Sequence, residues 1–181
     1  MIGLKRGTVS LSPHKSSWDT EAHNTICLIK SILGNSAVDI QHIGSSSIKN
    51  ICSKPIIDIA IGVKSIEDIK PFIPTLESKG IIYRGFEHEN QLLFVIGDFE
   101  NDSRSHHIHV VEYNGIEWNN YINFRDYLNA FYSEAKKYEE LKINLAKKYP
   151  NDRGAYTEGK KELISQILKD AQKWKQSQNS K

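Results

Sequence analysis

Apolar residues recur at two different spacings along the first part of the chain. Residues 17–33 carry Ile26, Ile29 and Leu33 at helical spacing, so we predict a helix that Ser17 caps and Gly34 ends. Residues 38–43 (VDIQHI) alternate between apolar and polar, and residues 55–63 (PIIDIAIGV) are rich in β-branched side chains. Both segments therefore predict strands.

The same two spacings divide the remainder of the chain. Further strands are predicted at residues 8–11, 81–84, 92–96 and 107–113, with a hairpin through the polar residues 97–105. Helices are predicted at residues 65–79, 117–130, 133–148 and 155–174. This order predicts an α/β (α+β) fold, in which helices pack on a mixed sheet and a helical portion begins at about residue 117. We expect one domain over residues 1–175 and a frayed polar tail at 176–181.

Composition narrows the class of protein. The chain of 181 residues is 39% hydrophobic and 25% charged, with a formal net charge of +2, as in ordinary soluble globular proteins. No basic stripe is long enough to track a nucleic-acid backbone, which argues against a polymerase role. The two cysteines lack CxxC spacing, and no segment resembles a signal peptide or a membrane span. We therefore expect a cytoplasmic protein without membrane partners.

The first candidate site joins the bend at Gly44, Ser45 and Ser46 to Asp58 on the next predicted strand. Glycine allows a tight turn, and serine backbone and hydroxyl groups can donate to phosphate oxygens. Asp58 lies among isoleucines, where an unpaired charge is costly, and could hold a divalent cation, Mg²⁺ or Mn²⁺. The alternative is that Asp58 only caps a neighbouring turn.

A second candidate site is the segment HHIHV. His107 and His109 are two residues apart on a predicted strand, so both rings project from one face. His42 could join them if its strand lies alongside. Paired imidazoles with Asp58 suit a transition metal of the Zn²⁺ type better than Mg²⁺. The alternative is that these are hydrogen-bonded core or surface histidines.

Cationic and aromatic residues elsewhere could contact phosphate oxygens. Lys54 is the strongest candidate, because it lies between the Gly-Ser bend and Asp58. Singly, residues of this kind are more often surface groups or salt-bridge partners. The remaining candidates are Arg84, Arg104, Arg125, Tyr156 and Lys160.

The segments HIGSSS, KPIIDI, HHIHV and FRDYL, in this order, resemble the GrpB family. The resemblance runs from about residue 9 to residue 174. It implies the nucleotidyltransferase superfamily, which includes DNA polymerase beta and kanamycin nucleotidyltransferase. Some GrpB relatives are fused to dephospho-CoA kinase, which associates the family with a coenzyme A context.

The superfamily motif places a Gly-Ser at the end of one strand and two carboxylates, one residue apart, on the next. Gly44, Ser45 and Asp58 match this motif, whereas Ala60 stands at the second carboxylate position. A third carboxylate normally comes from a later strand. Here Glu112 lies on that strand but faces away from the histidines if alternation is regular.

Three hypotheses follow. The first is metal-dependent nucleotidyl or phosphoryl transfer to a small molecule, with Ser45 holding phosphates, Asp58 holding the metal and Lys54 or Lys160 neutralising phosphate charge. The second is a non-catalytic module that binds a nucleotide or a phosphorylated small molecule. The third is a His and Asp transition-metal site that activates water.

Overall fold

A five-stranded mixed sheet forms the centre of the computed structural model, which describes residues 2–88 and 90–179. The strands are β1 (Leu4–Lys5), β2 (Ala37–Ile43), β3 (Ile57–Val63), β4 (Ile82–His88), β5 (Gln91–Ile96), β6 (Ser103–Arg104) and β7 (His106–Glu112). The sheet order is β2-β3-β7-β5-β4, with β3 and β7 parallel and the other neighbours antiparallel. The two remaining strands, β1 and β6, form a separate ribbon.

Helices cover both faces of this sheet. They are α1 (Ser16–Leu33), α2 (Ile73–Ser78), α3 (Ile116–Ala130), α4 (Tyr132–Lys148), α5 (Arg153–Glu158) and α6 (Lys161–Asn179). One face packs against α1 and α2 and the other against α3, onto which α4 and α6 pack. No helix in the described ranges is both long and apolar enough to span a membrane.

Alternation along β3 sorts its side chains between these two layers. Ile57, Ile59 and Ile61 are almost fully buried in the core beneath α1. Each such burial stabilises the fold by about 1.5–3 kcal/mol relative to exposure. Ala60 lies on the opposite face, under Trp118 of α3. Asp58 shares that second face, as its parity with Ala60 predicts, so the core strand directs its only carboxylate toward the C-terminal helices.

Several predicted elements differ from the structure. Residues 8–11 form no strand; the N-terminal pairing instead joins β1 to β6. The first helix begins at Ser16, and no side chain caps it, although Gly34 ends it as predicted. The predicted helix 65–79 is a 3-10 helix (Ile66–Phe72) followed by α2, because Pro71 inside it has no N–H to donate.

The C-terminal helix also differs from its prediction. The expected helix 155–174 is broken at Gly159 and Lys160, which separate α5 from α6. The second of these helices continues to Asn179, so the tail expected to fray from residue 176 is helical up to that point. Residues 180 and 181 lie outside the described residues. The break matters for function because it places Lys160 at a corner between two helices.

Candidate active site

A pocket of about 340 Å³ opens on the α3 side of the sheet, where β2 ends and β3 begins. The bend after β2, the start of β3 and the three helices α3, α4 and α6 all contribute to its wall. It contains five of the residues that the sequence singled out, but none of the three candidate histidines lines it. The five are Gly44, Ser45, Lys54, Asp58 and Lys160, joined by Glu117, Asn120, Tyr121, Phe124, Tyr138, Ile164 and Leu168.

Gly44 is required at the bend for two reasons. Its φ of 68° and ψ of −171° lie in a region that residues with a side chain avoid. A Cβ added there would also lie 2.9 Å from Cβ of Asp58. The glycine therefore lets the backbone of the bend pass directly against the Asp58 carboxylate.

Only one of the three serines after this bend faces the pocket. Ser46 is fully buried and its hydroxyl lies 3.0 Å from Nε2 of His42. Ser47 donates its hydroxyl hydrogen to the carbonyl oxygen of Gly44 at 2.7 Å. Ser45 lines the pocket, and its hydroxyl forms no hydrogen bond with the described part of the protein. It is thus the serine available to a ligand.

Asp58 is held ionised in the pocket. Its side chain is 26% exposed, and Oδ1 lies 3.2 Å from Nδ1 of His107 on the neighbouring parallel strand. Burial opposes ionisation, but the hydrogen bond with His107 and the electrostatic interactions with His107, His109 and Lys54 outweigh it and lower the pKa of Asp58 to about 2. At neutral pH the pocket therefore contains a fixed negative charge that can bind a cation.

Two lysines flank the same pocket and share one aromatic ring. Nζ of Lys160 lies 4.6 Å, and Nζ of Lys54 lies 5.5 Å, from the centre of the Tyr156 ring. Burial, followed by the nearby charges of Arg153 and Lys160, lowers the pKa of Lys54 to about 8. Burial also lowers the pKa of Lys160. Tyr156 itself is buried and does not line the pocket, and its ring lies beside the two lysines.

The two strand histidines lie on one face, as predicted, but each is already engaged. His107 bonds Asp58 through Nδ1, and its Nε2 lies 3.5 Å from Arg153. Nδ1 of His109 lies 3.0 Å from Oε2 of Glu87, an oxygen that also accepts a hydrogen bond from Gln91 at 2.6 Å. These bonds orient both rings toward carboxylates.

His42 does not lie beside His107 and His109. It is on the α1 face of the sheet, where Nδ1 is 3.9 Å from Oδ1 of Asp19. Burial lowers the pKa of His42. Within residues 2–88 and 90–179, no three His, Cys, Asp or Glu side chains are grouped closely enough to hold a metal ion. The arrangement gives the predicted transition-metal set no geometric support.

The predicted arginines lie outside the Asp58 pocket. Arg125 donates to the side chain of Gln41 at 2.8 Å and to the carbonyl oxygen of His42 at 3.0 Å, and it pairs with Asp126. These bonds attach α3 to β2. Arg84 and Arg104 line a different pocket, on the far side of His107.

Sequence reasoning missed the face that α3 presents to the pocket. Glu117, Asn120, Tyr121 and Phe124 all line it. Their spacing of three and four residues is the signal that one helical face carries them. Glu117 matters most, because it brings a second carboxylate to the pocket from a helix and not from the sheet.

Ala60, which stands at the second carboxylate position of the superfamily motif, does not face the Asp58 pocket. The residue is fully buried in a cluster with Ile43, Val111 and Trp118. An acidic side chain at this position would meet the indole of α3 and not the open pocket. Glu112, at the end of β7, is exposed and pairs with Val63, well away from Asp58 along the strand.

The mixed sheet, its Gly-Ser bend and the adjoining Asp58 define a nucleotidyltransferase-like fold. A structure of the Cid1 poly(U) polymerase superposes with a TM-score of 0.52 at 13% identity, over 75% of this chain and 44% of that one, which shows the fold alone. The chain belongs to the GrpB family, whose model, described as GrpB protein, matches residues 8–170.

Two relatives support the family assignment over nearly the whole chain. The glutamate-rich protein GrpB of Alkalihalophilus pseudofirmus is 40% identical over 177 residues, 94% of this chain and 99% of that protein. The crystal structure of the conserved protein GrpB from Enterococcus faecalis has a TM-score of 0.84 at 28% identity, over 91% of this chain and 98% of that one.

Proposed function

We propose that this chain binds a nucleoside triphosphate in the Asp58 pocket and transfers its nucleotidyl or phosphoryl group to an oxygen of a small-molecule acceptor, with pyrophosphate or the nucleoside diphosphate as the leaving group. One observation carries the proposal: an ionised carboxylate and two lysines line a single pocket beside a Gly-Ser bend. This combination can hold a phosphate chain and a divalent cation together, which is the common requirement of such transfers.

Each end of the pocket suits a different part of a nucleotide. Ser45 offers a backbone N–H and a free hydroxyl to phosphate oxygens, while Lys54 and Lys160 supply positive charge. The opposite wall is apolar and suits a base and sugar. It is formed by Phe124, Ile164 and Leu168.

The oxygen donors of the pocket fit Mg²⁺ or Mn²⁺. Magnesium is commonly bound through one or two carboxylates together with substrate phosphates. Asp58 and Glu117 provide the carboxylates, so the absence of an acid at residue 60 does not remove the capacity to bind the ion. When bound, such an ion would neutralise the charge that develops on the transferred phosphoryl group.

The fold supplies independent support. Cid1 is a poly(U) polymerase, and the structure that superposes on this chain has MgGTP bound. That property belongs to Cid1; for this chain it makes a nucleoside triphosphate the first ligand to test.

The test is calorimetric titration of the purified chain with each nucleoside triphosphate in the presence of Mg²⁺ or Mn²⁺. We expect saturable binding that weakens about tenfold or more in Asp58→Asn, because the variant loses the charge that holds the cation. Asp170→Asn is the matched control, since Asp170 is on α6 and contacts Gln166. Absence of binding by any of the nucleotides would reject the proposal.

A second candidate, a module that binds without turnover, is favoured by the buried Ala60. It is distinguished by incubating the chain with nucleotides labelled at the α- or γ-phosphorus and a set of phosphorylated small molecules, including dephospho-coenzyme A. Transfer of either label supports the enzyme. Saturable binding with no label transfer, and a Kd that changes less than about threefold in Asp58→Asn, supports the module.

A further inference from the structure

A second pocket, of about 320 Å³, lies on the other side of His107 from the Asp58 pocket. The chain has five arginines, and four of them line this one pocket. They come from separate parts of the chain: the end of the β1 ribbon, β4, β6 and the first turn of α5. The complete lining is Arg6, Arg84, Leu93, Val95, Arg104, His107 and Arg153.

The positive charge of this pocket is largely uncompensated. Asp102 pairs with Arg104 at 3.6 Å and with Arg6 at 3.8 Å. Within the described residues, no carboxylate forms an ion pair with Arg84 or Arg153. Four guanidinium groups thus face one carboxylate, an arrangement that repels itself unless an anion enters.

Arg104 is held in place inside the pocket, whereas Arg6 and Arg84 are exposed at its rim. Arg104 is 7% exposed, and it donates to the carbonyl oxygen of Ser103 at 2.8 Å. Its guanidinium lies 4.6 Å from the centre of the Phe99 ring, and that of Arg84 lies 5.2 Å from the same ring. Burial, with the charges of Arg84, Arg6 and Arg153 against that of Asp102, lowers the pKa of Arg104. A guanidinium group fixed in this way binds phosphate oxygens well, because little freedom is lost on binding.

We propose that this arginine pocket binds the phosphate group of the acceptor substrate. The pocket itself is independent of the nucleotide site, but the acceptor role rests on the proposed function. His107 links the two pockets, with Nδ1 3.2 Å from Asp58 and Nε2 3.5 Å from Arg153. An acceptor anchored by its phosphate among the arginines would lie next to a nucleotide bound by Asp58 and the lysines.

The size and shape of the pocket indicate a compact anion. Leu93 and Val95 of β5 form its floor, and a volume of about 320 Å³ admits a small phosphomonoester. A nucleic-acid backbone would need charges spread along a groove at the spacing of successive phosphates. The four arginines instead converge on one pocket.

Side-chain NMR tests this assignment directly. The Nε–Hε signals of the five arginines are followed while inorganic phosphate is added without metal or nucleotide. We expect the signals of Arg84, Arg104 and Arg153 to shift saturably with one common Kd. Arg125, whose guanidinium is bonded to Gln41 and Asp126, is the internal control and should stay unchanged.

Variants then locate the anion. Arg84→Gln and Arg153→Gln should each weaken phosphate binding about five- to tenfold, because each removes a charge-assisted hydrogen-bond donor. Lys160→Gln, in the Asp58 pocket, should leave the titration unchanged. Linear shifts that sodium chloride reproduces, equal movement of Arg125, or loss of binding in Lys160→Gln would overturn the proposal.

This titration and the nucleotide experiment fail independently. If nucleotides do not bind but the arginines still respond, the anion pocket stands and the transfer reaction falls. If nucleotides bind and the arginines do not respond, the nucleotide site stands and the anion pocket falls. Should both respond, a phosphomonoester that competes with the nucleotide, instead of binding beside it, would contradict the acceptor role.

Discussion

Nδ1 of His107 lies 3.2 Å from Oδ1 of Asp58, and the two residues are register partners on parallel strands. Because a parallel pair places directly paired side chains on the same face of the sheet, this contact follows from the register. It holds the carboxylate ionised and leaves Oδ2 on the side of the Gly44 bend. The charge of the Asp58 pocket therefore depends on a hydrogen bond made within the sheet.

This bond gives the acid stability of the protein a particular pH dependence. Asp58 has a pKa of about 2 in the fold against an ordinary value of 3.8. A lowered folded pKa contributes stability that is present above the ordinary value and is lost as the pH falls toward 2. Between these values, wild type should lose on the order of 2 kcal/mol more than Asp58→Asn.

Denaturant titrations at several acidic pH values measure this difference. Asp170→Asn, which retains the hydrogen bond from Gln166, should keep the wild-type slope. If the stability of Asp58→Asn falls in parallel with that of wild type through the whole range, Asp58 is not the group responsible.

Lys54 should make nucleotide affinity depend on pH near neutrality. Its pKa is lowered to about 8, so in the free protein it loses its charge as the pH rises above that value. Affinity for a nucleoside triphosphate should therefore decrease several-fold between about pH 7 and pH 9 in wild type. Lys54→Arg stays charged throughout and should lose this dependence. Calorimetry at a series of pH values tests this, and identical pH profiles for the two proteins would contradict it.

Gly44→Ala should damage both stability and the site. The substitution places a Cβ at a φ of 68° and 2.9 Å from Cβ of Asp58, so backbone strain and a steric clash combine. We expect a loss of about 3 kcal/mol or more in unfolding free energy, of which strain accounts for about 1–3 kcal/mol.

Gly34→Ala is the matched control for that substitution. Gly34 also has a positive φ, of 53°, but a Cβ there would meet nothing within 4 Å. It should show the strain cost alone and bind nucleotide normally. Equal losses in the two variants, with nucleotide binding retained in both, would mean that Gly44 is not needed for its approach to Asp58.

Restoring an acid at residue 60 should not restore a superfamily-like site. In Ala60→Asp a charge would be buried against Trp118, at a cost of about 3 kcal/mol or more. Ala60→Val adds similar bulk without charge and should cost about 1–3 kcal/mol. Thermal unfolding compares the two. A stable Ala60→Asp protein with tighter Mg²⁺ binding would show that the pocket reaches further under α3 than the structure indicates.

The parts of the site that the sequence could predict are those carried by neighbouring segments. Regular alternation correctly placed Asp58 on the face of Ala60, and His107 with His109 on one face. The break at Gly159 and Lys160 was missed, because helical spacing continues across it.

The arginine pocket could not be predicted in the same way. Arg6, Arg84, Arg104 and Arg153 are each isolated in the sequence, and only the pairing of β1 with β6 and the position of α5 bring them together. Contacts between residues so distant in sequence do not appear in the spacing of apolar and polar positions. For the same reason the sequence could not show that Arg125 lies apart from the other four, bonded to Gln41 and to the carbonyl oxygen of His42.

The ring of Tyr156 lies beside the ammonium groups of Lys54, which is far from it in sequence, and Lys160, which is close to it. Lys54 lies just before β3, and Lys160 lies between α5 and α6. A movement of α5 relative to the sheet would therefore displace both Lys160 and the Tyr156 ring. The helices α5 and α6 consequently help to form the Asp58 pocket, and without them the pocket would keep Asp58 but lose Lys160, one of its two lysines.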